Sequence, residues 1–264
     1  MFSALLNRFK PRQTVEQRLA EAKALAERGE YEAALAIWGP LAHEGVARAA
    51  NNVGACFMGG LGVERNEALG AHWLTVAAEG GDAAGQRNLA AAFFQGTGVA
   101  QDYQAAHDWY RKAAEAGDAE ARDMLSWMLL EGEVIAPDLV EARRWAEAAA
   151  QQNVGAAMTR MGMIYHDALG VERDAEKACE WWAKGVEAGD ADAMAMLGAA
   201  NHLGQGVEQD SLRAMVLLIL ARDGGSAHAK TFFDAVKASL PEGAFEKAER
   251  LAGEIQREHA ARAT

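Results

Sequence analysis

His166 and His202 are the residues of this 264-residue chain whose types and spacing come nearest to a reactive site. They lie 36 residues apart, and Asp167 follows the first of them. An imidazole beside a carboxylate can move a proton, and two imidazoles with further donors can hold a metal ion. That ion would need a third and a fourth ligand across helices packed about 8–10 Å apart, and Asp167 alone is on offer. The Gly-rich strings GGLGVE, GTGVAQ and GQGVEQ look superficially like phosphate loops. None carries the Gly-Lys-Ser/Thr that reaches a phosphate and its magnesium, and none follows a strand-like run. The patterns H-E-x-x-H, paired C-x-x-C and G-x-S-x-G do not occur. Cys56 and Cys179 fall inside helical patterns, which suits small buried apolar residues better than nucleophiles. These residues predict no metal site, no cofactor and no enzyme, leaving a hydrolase built on His166 and Asp167 as one alternative.

Composition points the same way. The chain holds 60 alanines and only 4 prolines, and half of it is hydrophobic. Alanine is the best helix former and strands favour β-branched residues, so an all-α fold is expected. The net charge of −12 repels phosphate backbones and argues against nucleic acid as a partner. Two cysteines cannot build a disulfide framework. The segment 1–12, MFSALLNRFKPR, lacks the apolar stretch and cleavage site of a secretory signal. Its Phe2, Leu5, Leu6 and Phe9 would suit one short amphipathic turn on a membrane surface. The longest strongly apolar run, 215–221, is far below the ~20 residues that span a bilayer. A cytoplasmic, reducing-compartment protein without a membrane span is the expectation.

The elements that would position any site come from a repeat. Trp73, Trp109, Trp145 and Trp181 are spaced by 36 residues, and cutting at that period gives units 47–82, 83–118, 119–154, 155–190 and 191–226. A fixed period of this size indicates a solenoid. The third place of each unit holds Ala49, Gly85, Ala121, Ala157 and Ala193, and the seventh holds Val53, Leu89, Leu125, Met161 and Leu197. With the eighth and eleventh places these form one helical face, predicting a first helix of about fourteen residues. Glycines at the fourteenth and sixteenth places turn the chain, and Val63, Val99, Ile135, Val171 and Val207 plug the loop. Asn66, Asp102, Asp138, Asp174 and Asp210 then cap a second helix. That helix carries the tryptophan, read here as core, and stops at Gly81, Gly117, Asn153, Gly189 and Gly225. Asp82, Asp118, Asp190 and Ser226 cap the next unit.

The strings A-x-x-x-x-L-A-x-x-F-x-x-G-x-G-V-x-x-D and W-Y-R-K-A-A-E-A-G-D in 83–118 resemble the Sel-one-like repeat family, a relative of the tetratricopeptide repeat. The resemblance covers 47–226. It implies a right-handed α-solenoid of stacked helical hairpins, about 14 helices in all, whose members mostly act as protein-binding scaffolds and adaptors. On this reading 1–12 is a short leader and 13–46 an N-terminal hairpin turning at Gly29-Glu30. Residues 227–264 form C-terminal capping helices, with Pro241 opening the last one.

A scaffold of this kind binds along its first helices. The ninth and twelfth places set Met58, Phe94, Trp127, Leu130 and Met163 in an apolar strip, with His166, His202, Arg87 and Asp123 beside it. Such side chains suit a protein or peptide anchor in the concave groove, unless curvature closes them against neighbouring hairpins. In the fifth unit Leu217 replaces the tryptophan, and Met215, Val216, Ile219 and Leu220 make its outer face apolar. Either the C-terminal helices fold over that face, or it serves a second copy in a weak homodimer or another partner.

Overall fold

The computed structural model describes residues 13–262, so the leader 1–12 lies outside the described residues. Fourteen helices and no strand make up the described chain, an all-α solenoid. They are α1 (Val15–Glu27), α2 (Tyr31–His43), α3 (Ala47–Gly59), α4 (Glu67–Glu79), α5 (Ala83–Gln95), α6 (Tyr103–Glu115) and α7 (Ala119–Glu131). Then follow α8 (Leu139–Ala150), α9 (Gly155–His166), α10 (Ala175–Glu187), α11 (Ala191–Leu203), α12 (Ser211–Asp223), α13 (Ala227–Ser239) and α14 (Ala244–Arg262). The chain forms two compact units, one up to Ala121 and one from Arg122 onward.

One residue per repeat closes each hairpin. The backbone N–H groups of Asn66, Asp102, Asp138, Asp174 and Asp210 donate to Phe57, Phe93, Leu129, Tyr165 and Asn201 carbonyls at 2.9–3.1 Å. Their side-chain oxygens in turn accept from backbone N–H groups in the first turn of α4, α6, α8, α10 and α12. Each such cap stabilises a helix by about 1 kcal/mol. At Asp174 the Lys177 backbone N–H is the main cause holding the carboxyl below its ordinary range. Asp82, Asp118 and Asp190 cap α5, α7 and α11 in the same way. Ser226 departs from expectation: it makes no cap bond, because its hydroxyl donates to Asp192 instead.

The sixteenth-place glycine joins one repeat to the one before. In the first unit a Cβ on Gly98 would stand 2.1 Å from the Glu67 carbonyl oxygen, at the start of α4. In the second, Gly206 meets the Ala175 carbonyl at the same 2.1 Å. With φ near +73° and +72°, these positions admit glycine on two grounds at once.

In the first unit the core gathers Leu41, Val53, Cys56, Leu74 and Leu89, and Thr14 and Gln17 form a reciprocal capping box at α1. In the second unit Leu125, Met128, Met161, Ile164, Met215 and Leu218 are fully buried. The reading of the repeated tryptophans as core is revised here. Of the repeated tryptophans Trp145 alone is buried, whereas Trp73, Trp109 and Trp181 are half-buried at the rim. The buried column is the next place, Leu74, Tyr110, Ala146, Trp182 and Leu218. The rim position lets a cation lie over the indole face, as Lys112 does on Trp109 at 3.8 Å and Lys184 on Trp181 at 4.1 Å.

Of the two alternatives left open for the apolar face of α12, the structure has the first, the covering by the C-terminal helices. Met215, Val216 and Ile219 are buried, and Leu220 packs against the same cluster. Val236 of α13 and Ala248 and Ala252 of α14 complete it, with Phe233, Phe245 and Leu251 at its edge. The last two helices cover these four residues, so they offer no free face to a second copy. Pro241 does not open α14 either: it stands before a turn, and its carbonyl receives the Ala244 N–H at 3.1 Å.

Candidate partner-binding groove

Helical register decides which side chains of each first helix escape the core. The third, seventh, eighth and tenth places are buried in every repeat, the tenth being Cys56, Ala92, Met128, Ile164 and Ala200. The ninth and twelfth places stay at least partly open in most repeats. In the first unit this leaves Met58 and Phe94 half-buried, with Phe94 edge-on to Tyr103 at 5.3 Å. Met58 lines a cavity of about 430 Å³ with Asn88, Ala91 and Gln95. In the second unit Trp127, Leu130, Met163, His166 and His202 are half-buried.

The fifth place behaves differently from the expectation of a polar flank. Asp123 is buried, and both its oxygens take the Arg160 guanidinium, at 3.1 and 3.3 Å. Asn51 is buried too and accepts the Asn88 amide at 2.8 Å, while half-buried Arg87 reaches Asp118 at 3.7 Å. These groups tie one repeat to the next. The sequence hides this because an inter-repeat partner lies 31 or 37 positions away and carries no local signal.

Met163, His166 and Asp167 line a second cavity of about 360 Å³ in the second unit. Met196, Ala199 and Leu203 of α11, Trp182 of α10 and Phe232 of α13 supply its apolar wall. Arg173 and Gln205 add polar groups. His166 Nδ1 lies 2.6 Å from Asp167 Oδ1, and its ring centroid is 5.6 Å from that of Trp182. Among the described residues, no serine, threonine or cysteine lines this cavity beside the histidine–aspartate pair. Burial pushes the Cys56 and Cys179 thiols up, which keeps both protonated. The His202 Nδ1 atom is buried with no hydrogen-bond partner among the described residues. Among the described residues no three His, Cys, Asp or Glu side chains gather in a metal-holding group, and no helix is long and apolar enough to cross a membrane.

Stacked two-helix repeats with Gly-rich loops and an open face on the first helices define a repeat scaffold. The Sel1 repeat family model matches residues 47–82, 83–118, 119–154, 155–190 and 191–226. The chain therefore belongs to the Sel1 repeat family. It is similar to a Sel1 repeat protein from Oxalobacter formigenes, with 26% identity and a TM-score of 0.80 over 88% of this chain and 94% of that one. Immunity protein Pa5087 from Pseudomonas aeruginosa shares the fold at 17% identity and TM-score 0.50, over 84% of this chain and 87% of that one. A further likeness is c5321, a protective antigen present in uropathogenic Escherichia coli strains, at 23% identity and TM-score 0.44, over 94% of this chain and 69% of that one. No curated protein matches the chain. Sel1 repeat proteins generally mediate protein–protein interaction and are typically non-catalytic scaffolds.

Proposed function

We propose that this chain is a non-catalytic adaptor that holds a protein or peptide partner on the open face of its first helices. The observation that carries this reading is the cavity of the second unit, where Met163 and His166 of α9 and Met196 and Leu203 of α11 line one space that no side chain fills. Consecutive first helices bury their third, seventh, eighth and tenth places and leave adaptable apolar side chains beside that space. In the first unit Met58 and Phe94 stand at the equivalent places, and in the second Trp127 and Leu130 do. On this reading residues 13–46 are an N-terminal hairpin and 227–264 the C-terminal capping helices of the array. The reading places the protein in the cytoplasm.

Affinity capture from host lysate tests it, with wild type and a Phe94→Glu/Trp127→Glu variant whose helical circular dichroism is intact. A partner held by wild type and lost by the variant supports the groove. Equal recovery by both proteins contradicts it.

A further inference from the structure

The cavity of the second unit pairs an apolar wall with an unpartnered cation. At about 360 Å³ it lies near the lower end of the range for ligand pockets, about 300–1,000 Å³. That is room for one large residue, and too little for a helix. Arg173 lines it, is exposed, and makes no ion pair or hydrogen bond among the described residues. Glu172, next to Arg173 in the chain, makes no ion pair with it among the described residues, and two other neighbouring acids are engaged elsewhere. Asp174 caps α10 and reaches the Lys177 ammonium at 3.4 Å, and Asp167 is bonded to His166. A chain of net charge −12 thus keeps one guanidinium unpaired beside an apolar socket. The complement of that arrangement is an apolar side chain and a carboxylate close together. A C-terminal residue carries both on one Cα, whereas an internal acidic segment needs two residues to supply them.

We propose that this cavity captures the C-terminal residue of the partner protein, its large apolar side chain on Trp182, Met163 and Met196 and its α-carboxylate on Arg173. The proposal rests on the groove reading and narrows it to one ligand chemistry. Arginine binds carboxylates through paired, charge-assisted N–H donors, so removing the charge from either side should be felt strongly.

The test uses the full chain with methyl-labelled methionines, titrated with N-acetyl-phenylalanine as the free acid, its amide, and N-acetyl-Phe-Asp-amide as the internal-carboxylate probe. The free acid is expected to shift the Met163 and Met196 methyl signals with a Kd about tenfold below that of either amide. Arg173→Gln should erase that preference while leaving the melting temperature unchanged, and Arg173→Glu should reverse it. Equal binding of acid and amide, equal binding of the Phe-Asp probe, or no shift at Met163 and Met196 each overturns the proposal. Should any of these occur while Phe94→Glu/Trp127→Glu still loses its partner, the groove reading stands and the C-terminal socket alone fails.

Discussion

The Arg160 guanidinium grips the Asp123 carboxylate at 3.1 Å, linking α9 to α7 within the second unit across 37 residues of sequence. Both side chains are mostly buried, at 16% and 11% exposure. Solenoid stability depends on such nearest-neighbour contacts. Removing one partner leaves the other charged in a desolvated place. We expect Asp123→Ala to cost about 2–3 kcal/mol, with Arg160→Ala similar. Urea melts of both single variants and the double variant check it: the double should cost clearly less than the two singles together. Strict additivity would show that the pair is not coupled.

Gly98 and Gly81 separate two effects that glycine usually mixes. Both have positive φ, +73° and +83°, but a Cβ on Gly81 meets nothing within 4 Å, while one on Gly98 strikes the Glu67 carbonyl. Gly81→Ala should cost only the left-handed backbone penalty, about 1–2 kcal/mol. Gly98→Ala should cost at least about 1 kcal/mol more, because α4 and the loop must part. Thermal unfolding of the two variants decides this, and equal losses would count against the close approach.

Tyr110 predicts an alkaline weakness. Burial, followed in size by the opposing effect of Arg87 and then by the Asp118 carboxylate, leaves its hydroxyl pushed up to about 12. The unfolded chain releases this proton near pH 10 while the folded chain keeps it, so the folded state binds more protons between pH 10 and 12. Stability from this group is therefore complete below pH 10 and falls as pH rises to 12, by about 2–3 kcal/mol. Tyr110→Phe should flatten the decline in denaturant melts taken from pH 9 to 11. An unchanged slope in that variant would assign the loss to other groups.

The local elements were the most legible part of the sequence. Caps such as Asp102 and Asp210 act within three or four residues, so their types alone announce the helix starts. The positive φ of Asn153, where other repeats have glycine, likewise follows from a residue that tolerates it. The burial pattern was less legible. Tryptophan recurs conspicuously, yet its rim place differs by only about 100° from the buried place of Trp182, and size drew the reading to the wrong column. Asp123 looked like a groove residue because helical position alone cannot reveal a partner one repeat away. The covered face of α12 was one of two open alternatives, since periodicity says which face is apolar and not what lies on it.

The central claim is that a partner is held by the open faces of the first helices. The most direct measurement is a binding titration of the captured partner against wild type and Phe94→Glu/Trp127→Glu, both shown to be folded. The account predicts affinity weakened at least about tenfold by the paired substitution, a loss of about 1.4 kcal/mol or more. An unchanged Kd would place the binding surface elsewhere on the molecule and contradict the groove.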